Sequence, residues 1–169
     1  MSIAELLLPE FDQEMASTRR VLERLPEEKF GWKPHEKSFA LGKLAAHVAE
    51  IPTWVTSAFE VNELDIAPAD GPAYTPPDAT SVAELLAFFD KSVAAGRVAL
   101  AGASDAQFGE NWSLLMTGQT IFTMSRYGVV RTWVLNHIVH HRAQLGVYLR
   151  LNEVPVPGVY GPSADEEGM

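Results

Sequence analysis

Apolar residues recur at helical spacing in four stretches of the chain, and the breaks between them set the expected architecture. Ile3, Leu7, Phe11, Met15 and Leu22 share one helical face; the run opens on the capping-box pattern Ser2-Ile3-Ala4-Glu5 and stops before Pro26. A second stripe, Leu44, His47, Ile51, Trp54, Val55 and Ala58, predicts a helix from about Ser38 to about Asn62. Pro52 lies inside it, and its missing N–H and ring clash predict a bend one turn after His47. A third helix opens with a second capping box, Ser81-Val82-Ala83-Glu84, and carries Val82, Leu85, Phe89 and Val93 toward Leu100. The fourth is predicted from about Phe122 to Leu151, with Val130, Val134, His137, His141, Leu145 and Tyr148 on its apolar face.

The segments between these helices lack their periodicity. Ile66 to Thr80 holds Pro68, Pro72, Pro76 and Pro77 and reads as a long crossing loop. Gly102 to Gly118 mixes turn formers with polar residues, so irregular structure with a short extended piece is expected there. From about residue 152 the prolines of Val154-Pro155-Val156-Pro157-Gly158-Val159-Tyr160-Gly161-Pro162 forbid a helix and predict a non-helical tail. No internal repeat or low-complexity tract is present. Four amphipathic helices, with a long connection between the second and the third, give an all-α four-helix bundle, and residues 1–169 are expected to form one domain.

Composition narrows the range of functions. The chain is 47% hydrophobic and 21% charged, a globular rather than a disordered balance. Its apolar stretches are too short and interrupted to span a bilayer, so no membrane partner is expected. The net charge of −9, with no basic cluster to offset it, would repel a phosphate backbone, and nucleic-acid binding is disfavoured. The N-terminus has no basic region and carries Glu5 early, unlike a signal peptide. With no cysteine there is no disulfide and no thiolate ligand, so a metal would have to be held by histidine and carboxylate. These features fit a cytoplasmic location.

Three histidines fall within the run Asn136-His137-Ile138-Val139-His140-His141-Arg142. On a helix, residues four apart have Cβ atoms about 6 Å from one another, so His137 and His141 can converge on one ion. The arrangement is that of the helical zinc motif, without its catalytic glutamate. At about 100° per residue, His137 and His141 differ by roughly 40° and continue the buried stripe, whereas His140 turns toward the flank with Trp133 and Asn136. His47 lies on the buried stripe of the second helix. Three imidazoles meeting in a bundle would leave a coordination position for water or substrate, the pattern of a catalytic rather than a closed structural site. A pairing of His137 with His140 is a geometric alternative. The spacing also fits hydrogen-bonded core histidines, and the two readings stand side by side. Glu50 and Gln144 are each one turn from a candidate ligand; Glu50 is expected in solvent unless it supports His47, and Gln144 is a similar supporting candidate for His141. His35 is expected at the surface, Arg142 on a carboxylate or in solvent, and the four tryptophans in the core or an interface.

Three segments together resemble a known family: Leu44-Ala45-Ala46-His47-Val48-Ala49-Glu50-Ile51-Pro52-Thr53-Trp54, then Asn136-His137-Ile138-Val139-His140-His141-Arg142-Ala143-Gln144-Leu145, and the ending Pro157 to Glu166. They resemble the DinB-like (DinB/YfiT-like) proteins, bacterial four-helix bundles of this size, and the resemblance spans nearly the whole chain. It implies a divalent metal, usually nickel or zinc, on His47, His137 and His141; by ligand chemistry alone three imidazoles also suit copper and iron. The resemblance also implies a homodimer, a small-molecule substrate, and a reaction of the thiol S-transferase kind that uses a low-molecular-weight thiol. The alternatives are hydrolysis, with Glu50 or His140 turned inward as base, and a non-catalytic metal-binding or stress-response protein. A ligand pocket above the metal, lined by Trp54, Phe89 or Tyr127, would favour an enzyme.

Overall fold

Ser2 begins the first helix as its sequence motif requires. Its hydroxyl accepts the Glu5 N–H at 3.1 Å, and its own N–H donates to the Glu5 carboxylate at 2.7 Å, using two donors the helix end leaves free. The computed structural model describes residues 1–78 and 80–166 and is mostly helical. Helix α1 runs Ile3–Leu22. The expected second helix is divided into α2, Leu41–Glu50, and α3, Thr53–Glu60, with Pro52 at the break. Helix α4, Val82–Gly102, starts at Ser81, whose hydroxyl accepts the Glu84 N–H at 3.1 Å. Here the box is half formed, because the Glu84 carboxylate accepts the Thr80 hydroxyl.

These helices pack on one another and on the last helix around a core that includes Phe11, Leu22, Leu41, Leu44, Ile51, Phe89, Ile138 and Leu145. The last helix is composite: a short α6, Arg126–Gly128, a π-helical segment, Val129–Asn136, and α7, His137–Leu151. Ala79, within the expected crossing loop, and residues 167–169, at the end of the expected domain and tail, lie outside the described residues.

The strictly all-α expectation is corrected by a three-stranded sheet. Strand β1, Glu63–Asp65, pairs in parallel with β2, Asn111–Met116, which forms an antiparallel hairpin with β3, Gln119–Ser125. A short helix α5, Asp105–Gly109, precedes β2, so the stretch read as irregular is mostly ordered. The fourth helix begins at Arg126 rather than at Phe122, because Phe122 pairs with Leu114 across the hairpin. Thr117 (φ 52°) and Gly118 (φ 75°) form the two-residue turn, both in the left-handed region that suits strand twist. Asp65 clamps the turn by accepting the N–H groups of Ala67 (2.9 Å), Thr117 (3.1 Å) and Gly118 (2.7 Å). Those bonds, that of Ala67 foremost, hold its carboxyl below the usual range.

Two buried arginines tie these parts together. Arg126 donates to the carbonyls of Ala58 and Val61 and to Asn62 Oδ1, closing the end of α3 where β1 departs. Arg142 pairs with Glu14 at 2.7 Å and donates to the Tyr160 hydroxyl at 2.7 Å, while that hydroxyl donates to Glu14 at 2.9 Å. The non-helical tail is thereby fixed against α1 and α7. No helix among the described residues is long and apolar enough to cross a membrane.

Candidate metal centre

His47, from the last turn of α2, meets His137 and His141, at the start of α7, where the two helices pack together. The Nε2 atom of His137 lies 3.3 Å from that of His47 and 2.8 Å from that of His141. One ring nitrogen from each of the three lies within 4.8 Å of the other two. Ligand nitrogens about 2.0–2.1 Å from a tetrahedral ion stand roughly 3.3 Å apart, so the spacing suits a shared ion. The three residues singled out by periodicity are the three brought together. His140 is exposed and accepts the Gln144 amide N–H at 3.1 Å, and His35 is exposed as expected.

A contact behind one of the rings, that of His141, turns its Nε2 lone pair inward. His141 Nδ1 is 2.8 Å from the Gln144 amide oxygen, which can only accept, so Nδ1 carries the proton and Nε2 is bare. His47 Nδ1 lies 3.9 Å from Glu50 Oε2. Glu50, expected in solvent, is only 6% exposed. One of its oxygens accepts the Tyr74 hydroxyl, and the other has no hydrogen-bond partner among the described residues. Tyr74 comes from the proline-rich loop, and its phenol is pushed upward by burial and by Glu50. Sequence reasoning missed this tyrosine, which had no periodic context to mark it.

Burial pushes the His137 imidazole down to about 4, and the neighbouring His141 and His47 add to the effect. The Trp133 carbonyl pulls the other way, although Nδ1 makes no hydrogen bond of normal geometry. Burial also lowers His141. With the Gln144 amide oxygen on His141 Nδ1, three neutral imidazoles leave one polar conflict in this arrangement. If His137 donates from Nε2 to His141, its buried Nδ1 becomes a bare acceptor without a donor; if the proton sits on Nδ1, two bare nitrogens face each other at 2.8 Å. A cation accepting the three lone pairs removes the conflict, so the residues fit a divalent ion.

A cavity of about 400 Å³ opens beside the cluster, with His47 and His137 in its lining. Trp54 lines it as anticipated; Phe89 is instead buried in the core and Tyr127 is exposed, and neither reaches it. Trp112, Phe122 and Trp133 form much of the remaining wall. Trp32 alone among the tryptophans is away from this cavity, edge-on to Tyr148 with ring centres 5.4 Å apart. The aromatic wall was hidden from sequence reasoning because Trp112 and Phe122 stand on the unrecognised hairpin.

Two solved structures share the fold. A DinB-like protein from Bacillus cereus is 24% identical, with a TM-score of 0.71 over 94% of this chain and 98% of its own. A DinB-like protein from Bacillus subtilis is 14% identical, with a TM-score of 0.63 over 89% of this chain and 95% of its own. No curated protein matches the chain. The DinB family profile matches residues 1–168, and the chain belongs to the DinB family.

Proposed function

We propose that His47, His137 and His141 hold one divalent metal ion and that a small thiol is transferred to an electrophile beside it. The sulfur of the thiol bonds to an electrophilic carbon as that carbon's bond to a halide, an epoxide oxygen or an activated alkene partner breaks, the thiol proton passing to solvent or to the group released. The observation that carries this reading is the convergence of three Nε2 atoms with their opposite nitrogens turned away. Three imidazoles suit zinc or nickel, and also iron. The ion, when bound, supplies Lewis acidity that lowers the pKa of a thiol or water at its open position. Gln144 fixes the orientation of His141, and Glu50 places negative charge behind His47. The chain has no cysteine, so the thiol comes from a separate small molecule.

The cavity favours this reading over a non-catalytic metal-binding or stress-response protein, which has no need of a ligand-sized space beside its ion. Hydrolysis is less well supported, because Glu50 stands behind His47 and His140 is engaged by Gln144. A cytoplasmic homodimer is part of the proposal, and sedimentation would report the dimer. The test is elemental analysis of protein purified without a histidine tag or chelator, followed by thiol-transfer assays with several small thiols. About one equivalent of metal is expected in the wild type and little in His47→Ala or His137→Ala. Full occupancy with no transfer from any thiol would favour the non-catalytic protein. A wild type that takes up neither zinc nor nickel would exclude the site.

A further inference from the structure

The cavity beside the histidines has an unusually uniform chemistry. Trp54, Tyr74, Trp112, Phe122 and Trp133 line it together with aliphatic side chains, and Ser57 is the only aliphatic hydroxyl in the lining among the described residues. The rings brace one another: Phe122 and Trp133 stack with centres 4.8 Å apart and planes 12° apart, and Trp112 lies 6.1 Å from Phe122. Among the described residues no lysine, arginine, aspartate or glutamate lines the space. Lys43 sits over the Phe39 ring at 5.7 Å but is not in the lining. An anion placed here would give up its hydration without a paired charge. A cation would meet only the faces of the aromatic rings, with no carboxylate in the lining among the described residues to replace its hydration. Flat aromatic walls gain most from another flat ring, through offset or edge contacts.

We propose that this cavity binds a neutral, planar aromatic molecule whose polar end faces His47 and His137, and that this molecule is the electrophile of the reaction rather than the thiol. The ring system occupies the aromatic walls and the polar end lies at the imidazoles, so the reacting group is held at the cluster. The volume of about 400 Å³ is at the lower end of small-molecule sites, which run from about 300 to 1,000 Å³. Its identity as electrophile rests on the thiol-transfer reading, whereas its binding does not.

The test uses chelator-treated full-length protein near pH 8, where imidazoles are neutral, so the outcome is independent of metal. Three probes share one ring system: 2-naphthalenemethanol is neutral, 2-naphthoate is anionic, and trimethyl(2-naphthylmethyl)ammonium is cationic. Calorimetry is expected to give one site for the neutral probe, with quenching of tryptophan fluorescence, and binding at least about tenfold weaker for each charged probe. No binding of the neutral probe, or equal or tighter binding of either charged one, would overturn the proposal while leaving the metal reading intact. Leu64→Trp, on the sheet edge and in the lining, fills the space and is expected to weaken the neutral probe at least about tenfold. Val98→Trp, on an exposed face of α4 outside the cavity, is expected to change it by less than about twofold. A folded Leu64→Trp protein with undiminished affinity would place the probe elsewhere and overturn the assignment. If Leu64→Trp does not fold, the charge series in the wild type decides.

Discussion

His141 depends on a neighbour that never touches its inward nitrogen. Gln144 accepts from Nδ1 at 2.8 Å and so decides which nitrogen is free. Removing such a supporting group costs about ten- to a hundredfold in metal affinity, and Gln144→Ala is expected to show that loss in competition with a chromophoric chelator. Unchanged affinity would mean that the contact is incidental. His137 makes a second prediction, for the metal-free protein. Its folded-state pKa is about 4, whereas the unfolded chain takes the proton near 6.5, so between those values the unfolded state binds more protons. This contribution to stability is complete above 6.5 and is lost as pH falls toward 4. The urea midpoint is expected to drop through that interval, and to drop less in His137→Gln; parallel profiles would contradict the assignment. The three histidines were legible because helical spacing alone puts each on a buried stripe. Glu50 was not: its hydrogen-bond partner is Tyr74, 24 residues away on a loop whose path no periodicity reveals.

Among the elements, the bend at Pro52 was also legible, since proline removes one helical bond wherever it stands. What receives the bend was not. Gly96 of α4 lies under the Pro52 carbonyl, and a Cβ there would stand 2.7 Å from that oxygen. Helix propensity favours alanine over glycine by about 1 kcal/mol, whereas overpacking costs about 1–3 kcal/mol. Because the obstructing atom is backbone, the clash is expected to prevail, and Gly96→Ala should lower thermal stability by about 1 kcal/mol. A variant as stable as the wild type would show that the two helices can separate at little cost. The hairpin left a weaker trace. Thr120 to Met124 is rich in β-branched and aromatic residues, and Thr117-Gly118 is an adequate turn, but Phe122 also fits the helical stripe that follows. Pairing with β2 settled the matter, and that is a long-range contact. The π-helical segment before His137 has no proline or internal glycine to announce it.

At the scale of the whole molecule, two devices hold the centre in place. The α2–α7 contact carries the histidines, and the buried Glu14–Arg142–Tyr160 set binds α1, α7 and the tail together. Arg142→Met leaves Glu14 buried and unpaired and is expected to cost about 3–5 kcal/mol in denaturant unfolding, with much of it restored by Glu14→Leu in the same chain. A loss below about 1 kcal/mol would show that water reaches the carboxylate. Around this frame the sheet supplies part of an aromatic wall on one side of the histidines, so the cluster has a space beside it. The most direct test of that account is X-ray absorption at the metal edge of zinc-loaded wild type and His137→Ala. The account predicts three imidazole nitrogens at about 2.0–2.1 Å and one exchangeable light-atom ligand in the wild type, with imidazole scattering reduced in the variant. A wild-type shell without imidazole, or one closed by a fourth protein ligand, would contradict it.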